Sequence, residues 1–195
     1  IELSSCGANA IRVKYTNHRS NKSQSNAYVG VRPSQVGTID ETEESIIFKS
    51  NLFEARISKS NVFKIDFVYR DRLITSSCSN NGGASYTTVS GVSDNYTFTG
   101  DAQTSESLTV APDELFYGLG SNSSNLILNG LNKTCLNHNS SGNKAFDFQN
   151  IPFYLSSKNY GLFVNTNSTA EFAFGTEYAS AVSFGVEGEE LKRYI

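Results

Sequence analysis

Apolar and polar residues alternate with a period of two in short runs along this chain, and the 3.6-residue period of a helix is almost absent. β-Branched and aromatic residues gather in short runs separated by Asn, Ser, Gly and Asp, which predicts an all-β fold. "LFEARIS" from Leu52 sets Phe53, Ala55 and Ile57 on one face, and "VFKIDFVY" from Val62 does the same with Phe63, Ile65, Phe67 and Tyr69. The turn formers between them, Ser58 to Asn61, predict a hairpin with one buried face. Further strands are predicted at "AIRVKY" from Ala10, "AYVGV" from Ala27, "SIIFKS" from Ser45, "RLITS" from Arg72, "ASYTTVS" from Ala84 and "NYTFTG" from Asn95. Turn signals at intervals of about ten residues favour an antiparallel β-sandwich over a parallel α/β sheet.

Residues 121–149 break this rhythm. They are crowded with Asn and Ser and, apart from the island "NLILNG", short of large apolar residues, so they read as one long Asn/Ser-rich surface loop. After them "IPFYLSS", "YGLFVNT", "AEFAFG" and "AVSFGVEG" resume as four strands. A single domain over residues 1–195 is the simplest partition.

At 195 residues one domain buries roughly 70% of its unfolded surface, enough for a substantial core. The formal charge of −3, from 16 basic and 19 acidic residues, gives no basic field for nucleic acid or anionic lipid. No apolar run approaches the roughly 20 residues of a membrane-spanning helix. The chain starts at Ile1 and contains no Met, from which a processed or excised piece is expected. Cys6, Cys78 and Cys135 permit one disulfide with one thiol left over, in a spacing that fits no zinc pattern. Asn-x-Ser/Thr sequons begin at Asn21, Asn95, Asn122, Asn132, Asn139 and Asn167, against about four expected by chance in so Asn- and Ser-rich a chain. They point to N-glycosylation and a secreted, extracellular location.

Candidate chemistry is sparse. The two histidines, His18 and His138, come with no G-x-S-x-G elbow, which disfavours a Ser-His-Asp site. Asp40, Glu41, Glu43 and Glu44 lack the alternating ligands and the Gly of a calcium loop and read as a solvated hairpin tip; no metal and no cofactor is expected. Asp101, Glu106, Asp113, Glu114 and Asp147 offer carboxylates for sugar hydrolysis, but nothing in their spacing pairs them.

"PDELFYGLG" at 112–120, "LILNG" at 126–130, "NIPFYLSSKNYGLFVNT" at 150–166, "FAFG" at 172–175 and "VEGEEL" at 186–191 together resemble the N-terminal β-sandwich domain of glycoside hydrolase family 31, which includes α-glucosidases and α-xylosidases. The resemblance implies a sandwich of the galactose mutarotase-like type, with 150–166 as a structural hairpin in which Ile151, Phe153 and Leu155 face inward and Gly161 permits the turn back. In that family the sandwich precedes a (β/α)8 barrel that carries the catalytic aspartates of a retaining mechanism; neither the barrel nor its acids are in this chain, so no catalytic residue is expected. One family loop reaches over the barrel's active site with a Trp-Asn-Arg-Asp run. Its positions fall on Leu136, Asn137, His138 and Asn139, where only the first Asn is kept, and Asn137, His138 and Asn139 are the residues expected to touch a carbohydrate or a partner.

The resemblance implies a non-catalytic domain or subunit of a family 31 α-glycosidase, packed on the catalytic barrel and shaping its substrate entrance, with an apolar docking face exposed when the chain is alone. An α-linked oligosaccharide is a second expected partner. The competing readings are a stand-alone secreted carbohydrate-binding protein or a decoy derived from such a domain. A mutarotase on the same architecture needs a buried acid–base pair, usually His with Glu or Asp, and neither His18 nor His138 lies in a run suited to it.

Overall fold

The alternation seen in the sequence becomes strands in the computed structural model, which describes residues 1–7, 9–16, 37–78, 84–88, 91–93, 96–98, 102–120, 125–135 and 150–195. Among these residues there are eighteen strands and no helix. They form two large antiparallel sheets packed face to face as a β-sandwich.

The smaller sheet has six strands. Its order runs from β1 (Glu2–Ser5) and β2 (Ile11–Thr16) through β18 (Glu190–Tyr194), β15 (Tyr160–Val164) and β14 (Phe153–Ser156) to β12 (Phe116–Gly118). The larger sheet has ten. It runs from β13 (Asn132–Cys135) through β16 (Ala170–Phe174), β17 (Ala181–Glu187), β11 (Ala102–Thr109), β7 (Arg72–Cys78), β6 (Lys64–Tyr69), β5 (Phe53–Ser58) and β4 (Ser45–Ser50) to β3 (Thr38–Glu41), with β8 (Ala84–Thr88) also pairing β11. A separate two-stranded ribbon joins β9 (Gly91–Ser93) to β10 (Tyr96–Phe98).

The β5–β6 hairpin has the predicted faces: Phe53, Ala55 and Ile57 stand opposite Tyr69, Phe67 and Ile65, and Ala55, Ile65 and Phe67 are fully buried. The β6–β7 turn places Arg70 and Asp71 both at positive φ, 48° and 62°, the geometry of a two-residue turn that matches strand twist. The strand expected at "AYVGV" lies outside the described residues.

Three expectations are corrected. First, within 150–166 the inward residues are Tyr154 and Ser156, whereas Ile151 and Leu155 are 44% and 50% exposed and Phe153 is half-buried. The core accepts the ring of Tyr154 because Phe116, Phe172 and Phe174 meet it edge-on at 5.4–6.3 Å. Second, the turn back is made at Asn159, with φ of 66°, while Gly161 lies inside β15. A Cβ on Gly161 would sit 2.8 Å from the ring of Phe153, so the glycine leaves room for that ring. Third, residues 125–135, within the span expected as a long loop, are built into the fold. Leu128 is 2% exposed, its N–H bonds to the Phe116 carbonyl, and β13 pairs with β16. The Asn129 amide clamps this island by accepting from the Phe116 N–H (3.0 Å) and donating to the Glu114 carbonyl (2.8 Å).

The acidic run falls at the β3–β4 hairpin, where β3 is exposed throughout. Lys49 pairs with Asp40 at 2.8 Å and Lys59 with Glu41 at 2.7 Å. Cys6 and Cys135 are both buried.

Candidate functional site

Period-2 geometry sends alternate residues of β12, β14 and β15 outward, and on this side of the six-stranded sheet those residues, with Tyr194 at the end of β18, are mostly apolar. Register places Tyr117 opposite Leu155, Leu155 opposite Gly161, Phe153 opposite Phe163, and Phe163 opposite Tyr194, so all share one face. The Phe163 and Tyr194 rings lie 6.0 Å apart, and the Phe153 ring covers the bare backbone of Gly161. Farther across the same sheet the outward positions become charged. Lys14 reaches Glu190 at 2.8 Å, Lys192 also pairs with Glu190, and Arg12 pairs with Glu2. Partial burial pushes the Glu190 carboxyl up, but its hydrogen bonds from Lys14 and Lys192 outweigh this and hold it below the usual range. The result is an aromatic and aliphatic patch, with Leu155 half exposed at its centre, bordered by ion pairs.

The tightest ionisable constellation lies inside the sandwich. Glu106 on β11 and Arg193 on β18 are both 0% exposed and form a two-pronged ion pair across the two sheets, with Arg193 Nη2 donating to Glu106 Oε1 at 2.6 Å. The Tyr15 hydroxyl donates to the same carboxylate at 2.9 Å, and the guanidinium sits 4.6 Å from the centre of the Phe67 ring. Burial, reinforced by the neighbouring Glu106 charge, pushes the Tyr15 phenol far up, so it remains a donor. A carboxylate, a guanidinium that stays protonated and a phenol meet here with no solvent access, so the group ties the sheets together. Glu114 is also buried; it accepts from the Ala111 N–H at 3.0 Å and from the Ser156 hydroxyl, closing its own turn. Sequence spacing named Glu106 and Glu114 only as members of an unpaired set of acids. Arg193 was missed, and the signal that could have found it is a basic residue at an inward position of a strand.

Asn137, His138 and Asn139 lie outside the described residues, as do His18 and the sequons at Asn21, Asn95, Asn122 and Asn139. Asn132, on β13, and Asn167, in the turn after β15, are exposed. Among the described residues no three His, Cys, Asp or Glu side chains come together as a metal site, and no helix is long and apolar enough to cross a membrane.

Comparison with known proteins gives this geometry its context. The model of the glycosyl hydrolase 31 N-terminal galactose mutarotase-like domain matches residues 1–172. Alpha-xylosidase XylQ of Lactiplantibacillus pentosus is 36% identical over 90 residues, which are 46% of this chain and 12% of that protein. An alpha-xylosidase of Emericella nidulans is 32% identical over 113 residues, 58% of this chain and 14% of that protein. The chain therefore spans only 12–14% of the length of these curated relatives. Among solved structures, the cycloalternan-forming enzyme of Listeria monocytogenes superposes with a TM-score of 0.75 at 17% identity, over 98% of this chain and 18% of that one, a likeness of fold.

Proposed function

Because the chain belongs to the glycosyl hydrolase 31 N-terminal galactose mutarotase-like domain family, we propose that it is a non-catalytic domain that packs on the catalytic barrel of an α-xylosidase- or α-glucosidase-like enzyme and shapes the barrel's substrate entrance. The observation that carries this reading is the outward patch of Tyr117, Phe153, Leu155 and Phe163, set on paired strands and bordered by satisfied charges. Apolar surface is costly to leave in water, and burial against a partner returns roughly 25 cal/mol per Å2. The acids of the retaining double displacement would sit on the barrel, and this domain would contribute orientation and exclusion of water at the entrance.

The test is native mass spectrometry of the protein taken gently from its source, followed by denaturation of the same sample. A catalytic barrel travelling with the chain, either in the same polypeptide or as a larger one released by denaturation, is the expected result. A lone chain of about 21.3 kDa plus any glycans overturns it and moves the function to a binding or decoy protein.

A further inference from the structure

The opposite side of the sandwich carries a groove of about 360 Å3 on the outward face of the ten-stranded sheet, within the lower range of ligand pockets, ~300–1,000 Å3. Its floor follows from register. Ser107, Ser183 and Ala173 stand in one row across β11, β17 and β16, and Ser105, Gly185 and Glu171 in the next. All of the floor except Glu171 is small, and the Ser107 and Ser183 hydroxyls hydrogen-bond each other at 2.9 Å. Gly185 has no positive φ to explain it. A Cβ there would lie 3.2 Å from Ser105 Cβ and 3.5 Å from the Gln103 amide nitrogen, so the glycine keeps the floor open. Glycine weakens a strand interior, and one retained where the backbone is not strained marks a place of close approach.

The walls supply the opposite chemistry. Tyr178, in the turn between β16 and β17, is 46% exposed. Glu171 and Glu177 are exposed, and their side chains make no ion pair or hydrogen bond with any described residue. One aromatic side chain beside solvent-facing carboxylate acceptors, over a shallow floor carrying hydroxyls, matches a ligand with apolar C–H faces and many O–H donors. Two carboxylates against the single Lys133 repel an anion.

We propose that this groove binds a neutral oligosaccharide, with Tyr178 stacking on a sugar ring and Glu171 and Glu177 accepting from its hydroxyls. The choice of sugar rests on the glycosidase reading above; the groove itself lies on the face away from the proposed barrel contact, so the two can fail separately. Bound there, an oligosaccharide would hold a polymeric substrate near the enzyme without entering the active site.

The experiment is isothermal titration of the chain with α-xylosyl-1,6-glucose, maltotriose and isomaltotriose, with sorbitol as a control for unspecific polyol effects. It is repeated with Tyr178→Ala and with Thr134→Trp, which projects bulk into the groove from an exposed position of β13. The proposal expects saturable binding of at least one saccharide, with a dissociation constant on the order of 1 mM. Tyr178→Ala should weaken it about tenfold, Thr134→Trp should abolish it, and both variants should melt as the parent does. No binding by the parent chain, binding equal to that of sorbitol, or binding unchanged in both variants overturns the proposal. None of these outcomes alters barrel docking, which Leu155 variants report.

Discussion

Replacing Arg193 by Leu should be among the most damaging single changes this domain can suffer. The substitution leaves the Glu106 carboxylate 0% exposed, with the Tyr15 hydroxyl at 2.9 Å as its remaining side-chain partner. Breaking one side of a buried ion pair costs about 3–5 kcal/mol, a large share of the ~5–15 kcal/mol that holds a typical domain folded. At roughly 2–4 °C per kcal/mol for a domain of this size, the melting temperature should fall by about 6–20 °C. Urea unfolding followed by tyrosine fluorescence suits the chain, which has 10 Tyr and no Trp; an unchanged slope with a lowered midpoint would assign the loss to stability alone. The paired variant Glu106→Leu with Arg193→Leu is the control. It removes both charges and leaves only the Tyr15 hydroxyl in want of a partner, a penalty of about 1–3 kcal/mol. The double variant should therefore be more stable than Arg193→Leu alone, by about 2 kcal/mol at the midpoints of these ranges. A cost below about 1 kcal/mol for the single variant, or a double variant less stable than the single, would refute the reasoning that a desolvated carboxylate drives the effect.

Gly118→Ala should destabilise by roughly 2 kcal/mol or more in the same assay, because Gly118 has φ of 130° and a Cβ there would lie 2.5 Å from the Phe153 carbonyl oxygen. Leu155→Lys should leave stability within about 0.5 kcal/mol, since the side chain is already half exposed, yet prevent association with the catalytic barrel; retained association measured by sedimentation would remove the outward patch from the docking surface. Glu190 is held below the ordinary glutamate value despite its partial burial, so its contribution to stability is complete above about pH 4.3 and is lost as pH falls toward its lower folded value. The stability gap between the parent chain and Glu190→Gln should thus shrink between pH 7 and pH 3, and a gap that widened on acidification would reverse the sign of this argument.

The existence of strands was legible wherever polar and apolar residues alternate strictly, as in the β5–β6 hairpin, because a half-buried strand is the local structure that satisfies that pattern. β11 was missed: its inward positions are Thr104, Glu106 and Leu108, and the two polar ones erase the signal. The family motifs pointed to the sandwich, while the contacting loop at 137–139 remained a matter of resemblance. Which face of 150–166 turns inward could not be read, because Ile151, Phe153 and Leu155 are the more apolar set and still face out. A period of two defines two faces and is silent on which one the core takes. That was decided by Phe116, Phe172 and Phe174, which fit Tyr154 between them, and by the Glu114 carboxylate, which gives Ser156 a partner. The sheet-to-sheet pair of Glu106 and Arg193 joins residues 87 apart in the chain, and the groove floor comes from three strands. The sequence by itself determined the alphabet of strands and turns, which depends on neighbours a few residues away. Only the tertiary structure decided the sealed ion pair, the outward apolar patch and the groove, because each requires strands distant in sequence to be brought into register.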